Sequence, residues 1–226
     1  MKKLETTANN NERIGLFGGT FNPIHWAHLR AAEEIQEYFQ LKKVIFIPAR
    51  YPPHKNGESI VSPGPRLQMV NLAIDSNPAF ATSDFEIKRN CKSFSIFTIE
   101  YFRKELGPNS SLFFLMGMDS FLEISTWKDF ARLFSLANFI IMSRPGYLKK
   151  EIAKSLPVDV ANNFHYNSEE NYYVHPSHHK IFFQEITLLD IASSEIRSRI
   201  KNRHSIRYLV PPIVEDYIKK YKLYQN

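Results

Sequence analysis

The chain has 226 residues, 43% of them hydrophobic, and 29 Lys and Arg against 23 Asp and Glu give a formal charge of +6. That length suffices for one well-packed core with a small appended part, and no apolar run approaches the ~20 residues of a membrane-spanning helix. A single cysteine, Cys91, excludes an internal disulfide and fits a reducing, cytoplasmic setting.

Residues 1–12 are polar and lack the apolar core of a signal peptide, so they read as a disordered leader ahead of one domain at 13–226. Apolar runs then alternate with helical patterns. Strands are expected at Arg13–Phe17, Val44–Ile47, Ala81–Ser83, Leu112–Met116, Asn138–Met142 and Ile181–Gln184. Helices are expected at Ala27–Phe39, Pro65–Ser76, Ser95–Leu106, Thr126–Leu133, Lys149–Ser155, Ser193–Lys201 and Pro212–Lys220. Strand–helix alternation requires crossover connections. It therefore implies an α/β, Rossmann-like doubly wound parallel sheet, here with a small helical part at 191–226. Val44-Ile45-Phe46-Ile47 is the continuous apolar strand that such a sheet buries.

Two stretches read as long loops. Pro48 to Pro63 contains Pro52-Pro53-His54-Lys55, and Leu156 to Lys180 is a polar insertion carrying His175, His178 and His179. Those histidines lack an acidic or cysteine partner that would mark a metal site, and the insertion is expected to cover a substrate or pack on a neighbouring subunit. From Ile196 to Asn226 there are eight Lys or Arg against two acidic residues, a balance that suits a polyanion, either a nucleotide or a nucleic acid. No RNA-binding aromatic motif, zinc finger or repeat accompanies it, which disfavours nucleic acid.

The most telling stretch follows the first strand: Gly18-Gly19-Thr20-Phe21-Asn22-Pro23-Ile24-His25-Trp26-Ala27-His28. A strand-to-helix crevice of this kind binds phosphates, because a helix N-terminus offers unpaired N–H groups and partial positive charge. Gly18 and Gly19 allow a phosphate to approach the backbone, and Thr20 adds a hydroxyl donor. His25 and His28, three apart, can face one side and donate to a transferring phosphoryl group. As metal ligands they would lack the usual helical His-Glu-x-x-His arrangement or nearby cysteines.

This segment resembles the His-x-Gly-His nucleotidylyltransferases, with Asn22 in place of the usual Asp and Ala27 in place of the Gly. Further matches follow in chain order. Pro52-Pro53-His54-Lys55 resembles the strand-end loop of that family. Lys92-Ser93-Phe94-Ser95 is similar to the Ser-Tyr-Thr segment of its nicotinate mononucleotide branch, Phe94 lacking the usual phenol. Met116-Gly117-Met118-Asp119, with Trp127 beyond, resembles the Gly-x-Asp…Trp motif, and Arg144-Pro145-Gly146 the next strand end. Ile191-Ala192-Ser193-Ser194-Glu195-Ile196-Arg197 resembles Ile-Ser-Ser-Thr-x-Ile-Arg, and Tyr208-Leu209-Val210-Pro211 the terminal segment.

The resemblance implies transfer of the adenylyl group of ATP to nicotinate mononucleotide, with release of pyrophosphate. It implies catalytic roles for His25, His28, Lys55 and Arg197. Gly18, Gly19, Thr20, Phe21, Gly117, Asp119, Ile191, Ser193 and Ser194 would bind ATP; Asn22, Phe94, Ser95, Trp127 and Arg144 would bind the mononucleotide. Mg2+ is expected on the substrate phosphates rather than in a protein cage. Each residue has a plainer reading beside this one. Trp127 can be core, Lys55 a solvated loop lysine, Arg144 a loop pin, Arg66 structural, and Ser193 a helix cap. Alternative acceptors are nicotinamide mononucleotide and phosphopantetheine; the alternative class is a non-catalytic nucleotide- or nucleic-acid-binding module. Whether the protein forms a homo-oligomer is left open.

Overall fold

Continuous apolar runs, each buried on both sides, make the middle of one sheet. The computed structural model describes residues 12–53, 60–143 and 156–225. Its strands are β1 (Glu12–Gly19), β2 (Lys43–Pro48), β3 (Phe80–Thr82), β4 (Ser110–Gly117), β5 (Asn138–Ser143), β6 (His165–Asn167), β7 (Tyr172–Val174) and β8 (Lys180–Glu185). They pair in the order β3-β2-β1-β4-β5-β8-β7-β6. All neighbours from β3 through β8 run parallel, and β7 and β6 are added antiparallel at the edge. The helices are α1 (Trp26–Phe39), α2 (Pro63–Ile74), α3 (Phe85–Lys88), α4 (Ser95–Leu106), α5 (Met118–Leu122), α6 (Phe130–Leu133), α7 (Val158–Ala161), α8 (Ser193–Lys201) and α9 (Pro212–Lys220), with a 3-10 turn at Ile124–Thr126.

Successive strand residues point to opposite faces, and the core divides accordingly. Phe17, Phe113, Leu115, Ile140 and Met142 pack with α1, α2 and α9 on one face. Leu16, Phe114, Met116, Phe139 and Ile141 pack with α4, α5 and α6 on the other. The basic C-terminal part belongs to this packing: Ile196 of α8 and Val214 and Ile218 of α9 are buried in the first cluster. The α/β, Rossmann-like doubly wound sheet expected from the sequence is the fold observed. No helix among the described residues is long and apolar enough to cross a membrane.

The departures from expectation have local causes. Glu12, placed in the leader, opens β1 opposite Ser110 of β4. Gly18 and Gly19, read as the turn after the strand, still belong to β1 and pair with Ile47 and Pro48 of β2. The segment 156–180 is not a long loop. It folds as α7 and the β6–β7 hairpin, with Leu156, Val160 and Tyr172 buried. The expected helix at Thr126–Leu133 is broken: Trp127 is extended and Asp129 has φ +52°, so only Phe130–Leu133 is helical. The leader's residues 1–11 and the expected helix Lys149–Ser155 lie outside the described residues.

The strand order reverses between β1 and β4, because the chain leaves β1 toward β2 on one side and returns to β4 on the other. A crevice opens at the C-terminal ends of such a pair. Here those ends are Gly18-Gly19 and Gly117.

Candidate active site

The crevice wall is built by the turn from Thr20 to His25. Phe21 has φ +46° and is buried, its ring 5.6 Å from that of Phe17 and 5.2 Å from that of His28. That ring lies over Gly19, where a Cβ would come within 2.9 Å of it. Glycine is therefore required at this position by the neighbouring ring.

His25 is the residue just before α1, and its backbone N–H donates to Nδ1 of His28 (3.3 Å). With Nδ1 accepting, a neutral His28 carries its proton on Nε2. The two imidazoles stack, 3.7 Å between centroids and 28° between planes. His25 is buried, and burial pushes its pKa down to about 4, so it is a neutral imidazole at physiological pH. Among the described residues, Nδ1 of His25 is buried with no hydrogen-bond partner. An orphaned polar atom in a cleft wall is what a ligand's hydrogen-bonding group satisfies.

Three other parts of the chain fix this turn. The guanidinium of Arg66, on α2 and fully buried, donates to the carbonyls of Thr20 (2.6 Å), Ala49 (2.6 Å) and Val61 (2.8 Å). Desolvation lowers its pKa to about 10, which leaves it charged. From α8, Ser193 Oγ donates to the Pro23 carbonyl (2.8 Å) and Arg197 to the Asn22 carbonyl (3.0 Å). From the C-terminal end, the Tyr224 hydroxyl donates to Asn22 Oδ1 (3.0 Å), which also accepts from the Val61 N–H (3.3 Å). Burial raises the Tyr224 pKa, which keeps its proton in place for that bond.

The cleft beside this turn has a volume of about 460 Å³, in the range of small-molecule sites. Its wall includes Gly18, Gly19, Thr20, Phe21, Asn22, His25, His28, Phe94, Ser95, Gly117, Trp127 and Ser193, all expected from the sequence. An adjoining hollow of about 300 Å³ shares Ala27, Gly117 and Met142 with the cleft and contains Asp119. The expected residues that fall elsewhere are few. Ile191 packs, partly buried, against the core, and Ser194 is exposed on the first turn of α8. Arg197 reaches the site through the Asn22 carbonyl. Lys55 and Arg144 lie outside the described residues.

The structure adds residues that the sequence reading passed over. Glu86, Ser93 and Lys128 line the cleft, and Thr187, Leu188 and Leu189 line the adjoining hollow. Glu86 sits on the short α3 and accepts a hydrogen bond from Thr98 Oγ1 (2.6 Å); burial raises its pKa. Its four-residue helix is too short to leave a periodic signal.

A cytidylyltransferase-like family model matches residues 16–199. The chain is 46% identical to a probable nicotinate-nucleotide adenylyltransferase of Geotalea daltonii, over 95% of this chain and 99% of the relative. A protein of Geobacter sp. with the same designation is also 46% identical, over 94% and 98% of the two chains. Among solved structures, the Plasmodium falciparum nicotinic acid mononucleotide adenylyltransferase complexed with NaAD matches with a TM-score of 0.70 at 22% identity, covering 95% of this chain and 98% of that one.

Proposed function

The chain belongs to the cytidylyltransferase-like family, alongside the nicotinate-nucleotide adenylyltransferases, and we propose that it transfers the adenylyl group of ATP to nicotinate mononucleotide, forming nicotinate adenine dinucleotide and pyrophosphate. The observation that carries the proposal is the stitching of α8 to the opening turn, through Ser193 to Pro23 and Arg197 to Asn22, across 170 and 175 residues of sequence. The anion-binding features of the first crossover and of the closing helix therefore meet in one place.

The attacking group is the mononucleotide's phosphate, already ionised at neutral pH, so no protein base is needed. The oxygen forms its bond to the α-phosphorus as the bond to pyrophosphate breaks. The protein's work is to align the two and to stabilise charge on the leaving phosphates. We assign Nε2–H of His28 and the imidazole of His25 as donors to the triphosphate. The neutral imidazole of His25 is well suited to a buried wall, where a cation would be costly to desolvate. Thr20 and the first N–H group of α8, at Ser193, add donors, and the helix N-terminus adds partial positive charge. Gly117 lets the nucleotide approach the sheet, and Asp119 accepts from its ribose. Trp127, with Phe94 and Ser95 nearby, receives the pyridine ring face-on. Lys55 is assigned to the triphosphate and Arg144 to the mononucleotide by their place in the sequence. Asn22 acts through the turn it holds, since its Oδ1 is engaged by Val61 and Tyr224.

Magnesium bound to the triphosphate would supply charge neutralisation there. The donor set fits such an arrangement, because imidazole and amide N–H groups address phosphate oxygens and leave the cation to phosphate and water. The exposed Cys91 suits a cytoplasmic enzyme. The test is incubation with ATP, magnesium and each candidate acceptor. Equimolar pyrophosphate and dinucleotide with nicotinate mononucleotide is the expected result. Turnover with phosphopantetheine alone, or nucleotide binding without pyrophosphate release, would displace the proposal.

A further inference from the structure

The hollow that adjoins the cleft is lined in part by Thr187-Leu188-Leu189, chain that has left β8 and forms neither helix nor strand. Both leucines are exposed. Exposed apolar side chains beside a concave site mark a surface that a ligand covers. Asp119, assigned above to the ribose, lines the same hollow, and Ala27 lines both it and the cleft. A nucleotide with its phosphates at the His25–His28 turn and its ribose at Asp119 therefore carries its base toward these leucines.

A segment without regular structure keeps its shape through a few ties. Backbone bonds hold its ends: the Ile186 N–H donates to the Ser143 carbonyl (3.3 Å) and the Ile191 N–H to the Leu189 carbonyl (2.8 Å). Among the described residues, the side chain that holds its middle is Glu34 of α1. Its Oε2 accepts from the Thr187 N–H (2.8 Å), and the Thr187 hydroxyl donates to the same carboxylate. Oε1 accepts from Nε of Arg30 (2.5 Å), so both oxygens are engaged. Burial opposes the charge on Glu34, but the bonds from Thr187 and Arg30 outweigh it and hold its pKa below the ordinary carboxylate value. Glu34 is thus an anion at neutral pH, and an anion binds an N–H more firmly than a neutral acceptor does. Ala27 and Glu34 are seven residues apart, two turns of α1, and share one face of it. The helix that starts at the two histidines therefore also grips the wall of the hollow. The exposed i,i+4 pair with Arg30 contributes little by itself; the tie that shapes the site is the one to Thr187, 153 residues away.

We propose that Glu34 is a positioning residue for ATP: by fixing Thr187 it sets the Leu188–Leu189 wall against the base, and it leaves the triphosphate and acceptor ends of the site alone. The inference rests on the adenylyltransferase reading above and concerns only how that site holds its ATP. The test compares binding of ATP with binding of inorganic tripolyphosphate, which carries no base, by calorimetric titration with magnesium, and adds the steady-state constants for both substrates. In Glu34→Ala, Kd and KM for ATP rise about fivefold to tenfold, while kcat, KM for nicotinate mononucleotide and Kd for tripolyphosphate stay within about twofold. Glu34→Gln keeps an oxygen for the Thr187 N–H and recovers most of the ATP affinity. Unchanged ATP affinity in Glu34→Ala, or equal weakening of ATP and tripolyphosphate, overturns the inference and leaves the reaction standing. A wild-type protein that binds ATP yet forms no dinucleotide with either pyridine mononucleotide overturns the reading beneath it.

Discussion

Replacing Arg66 with Leu removes a side chain that ties three loops to α2. Its guanidinium donates to the carbonyls of Thr20, Ala49 and Val61, and the residue is 0% exposed. Hydrogen bonds from a charged donor contribute ~1.5–3 kcal/mol each, and each buried carbonyl left without a partner costs ~1–3 kcal/mol. Against that, the variant no longer buries a cation, which returns several kcal/mol. The loss is therefore set at about 3–4 kcal/mol net, in line with breaking other buried charged networks. With a urea m-value of ~2 kcal/mol/M, the midpoint moves down by ~1.5–2 M. Arg66→Lys recovers less than half, because one ammonium cannot span three carbonyls as a planar fork does. Since Thr20 and Ala49 both border the cleft, KM for each nucleotide rises before kcat falls. Urea unfolding and steady-state kinetics on both variants decide the matter. A Leu variant within about 1 kcal/mol of wild type, with unaltered KM, refutes the idea that this fork holds the site together.

His28→Ala removes the donor that we assign to the triphosphate; turnover falls by ~10²–10³-fold or more while the far-ultraviolet spectrum is unchanged, read by pyrophosphate release. His25 links stability to pH: its folded pKa of about 4 lies below the ordinary 6.5, so between these values the unfolded chain binds the proton first. Its contribution, about 3 kcal/mol at most, is complete above pH 6.5 and is lost as pH falls toward 4. His179, also lowered to about 4 by burial but partly exposed, acts in the same direction more weakly. Urea unfolding at pH 7 and pH 5 therefore shows a drop in the wild type that is smaller in His25→Asn; equal stability at the two pH values contradicts the assignment. Gly117→Val finds nothing within 4 Å of the added Cβ, so the variant melts like wild type yet binds an ATP analogue weakly, as thermal unfolding and titration of the analogue report.

The central strands were legible because a four- or five-residue apolar run bounded by turn residues has few other fates in a sequence that alternates with helical patterns. The cleft-lining turn was legible because Gly19, Thr20, His25 and His28 lie within ten residues of one another. What escaped depends on distant partners or on runs too short to show a period. Asn22 holds the turn through Val61 and Tyr224, 39 and 202 residues away. The β6–β7 hairpin has three residues per strand and one buried side chain, Tyr172, so it shows no alternation. Trp127 and Lys128 sit at a helix break that local propensity does not announce.

The central claim is a single direct displacement between two nucleotides held in one cleft. It is tested most directly by the stereochemical course at the α-phosphorus, using ATP made chiral there with sulfur and nicotinate mononucleotide as acceptor. One in-line attack predicts inversion in the dinucleotide product. Retention would require an adenylylated protein intermediate, and the mechanism derived from this site would then be wrong.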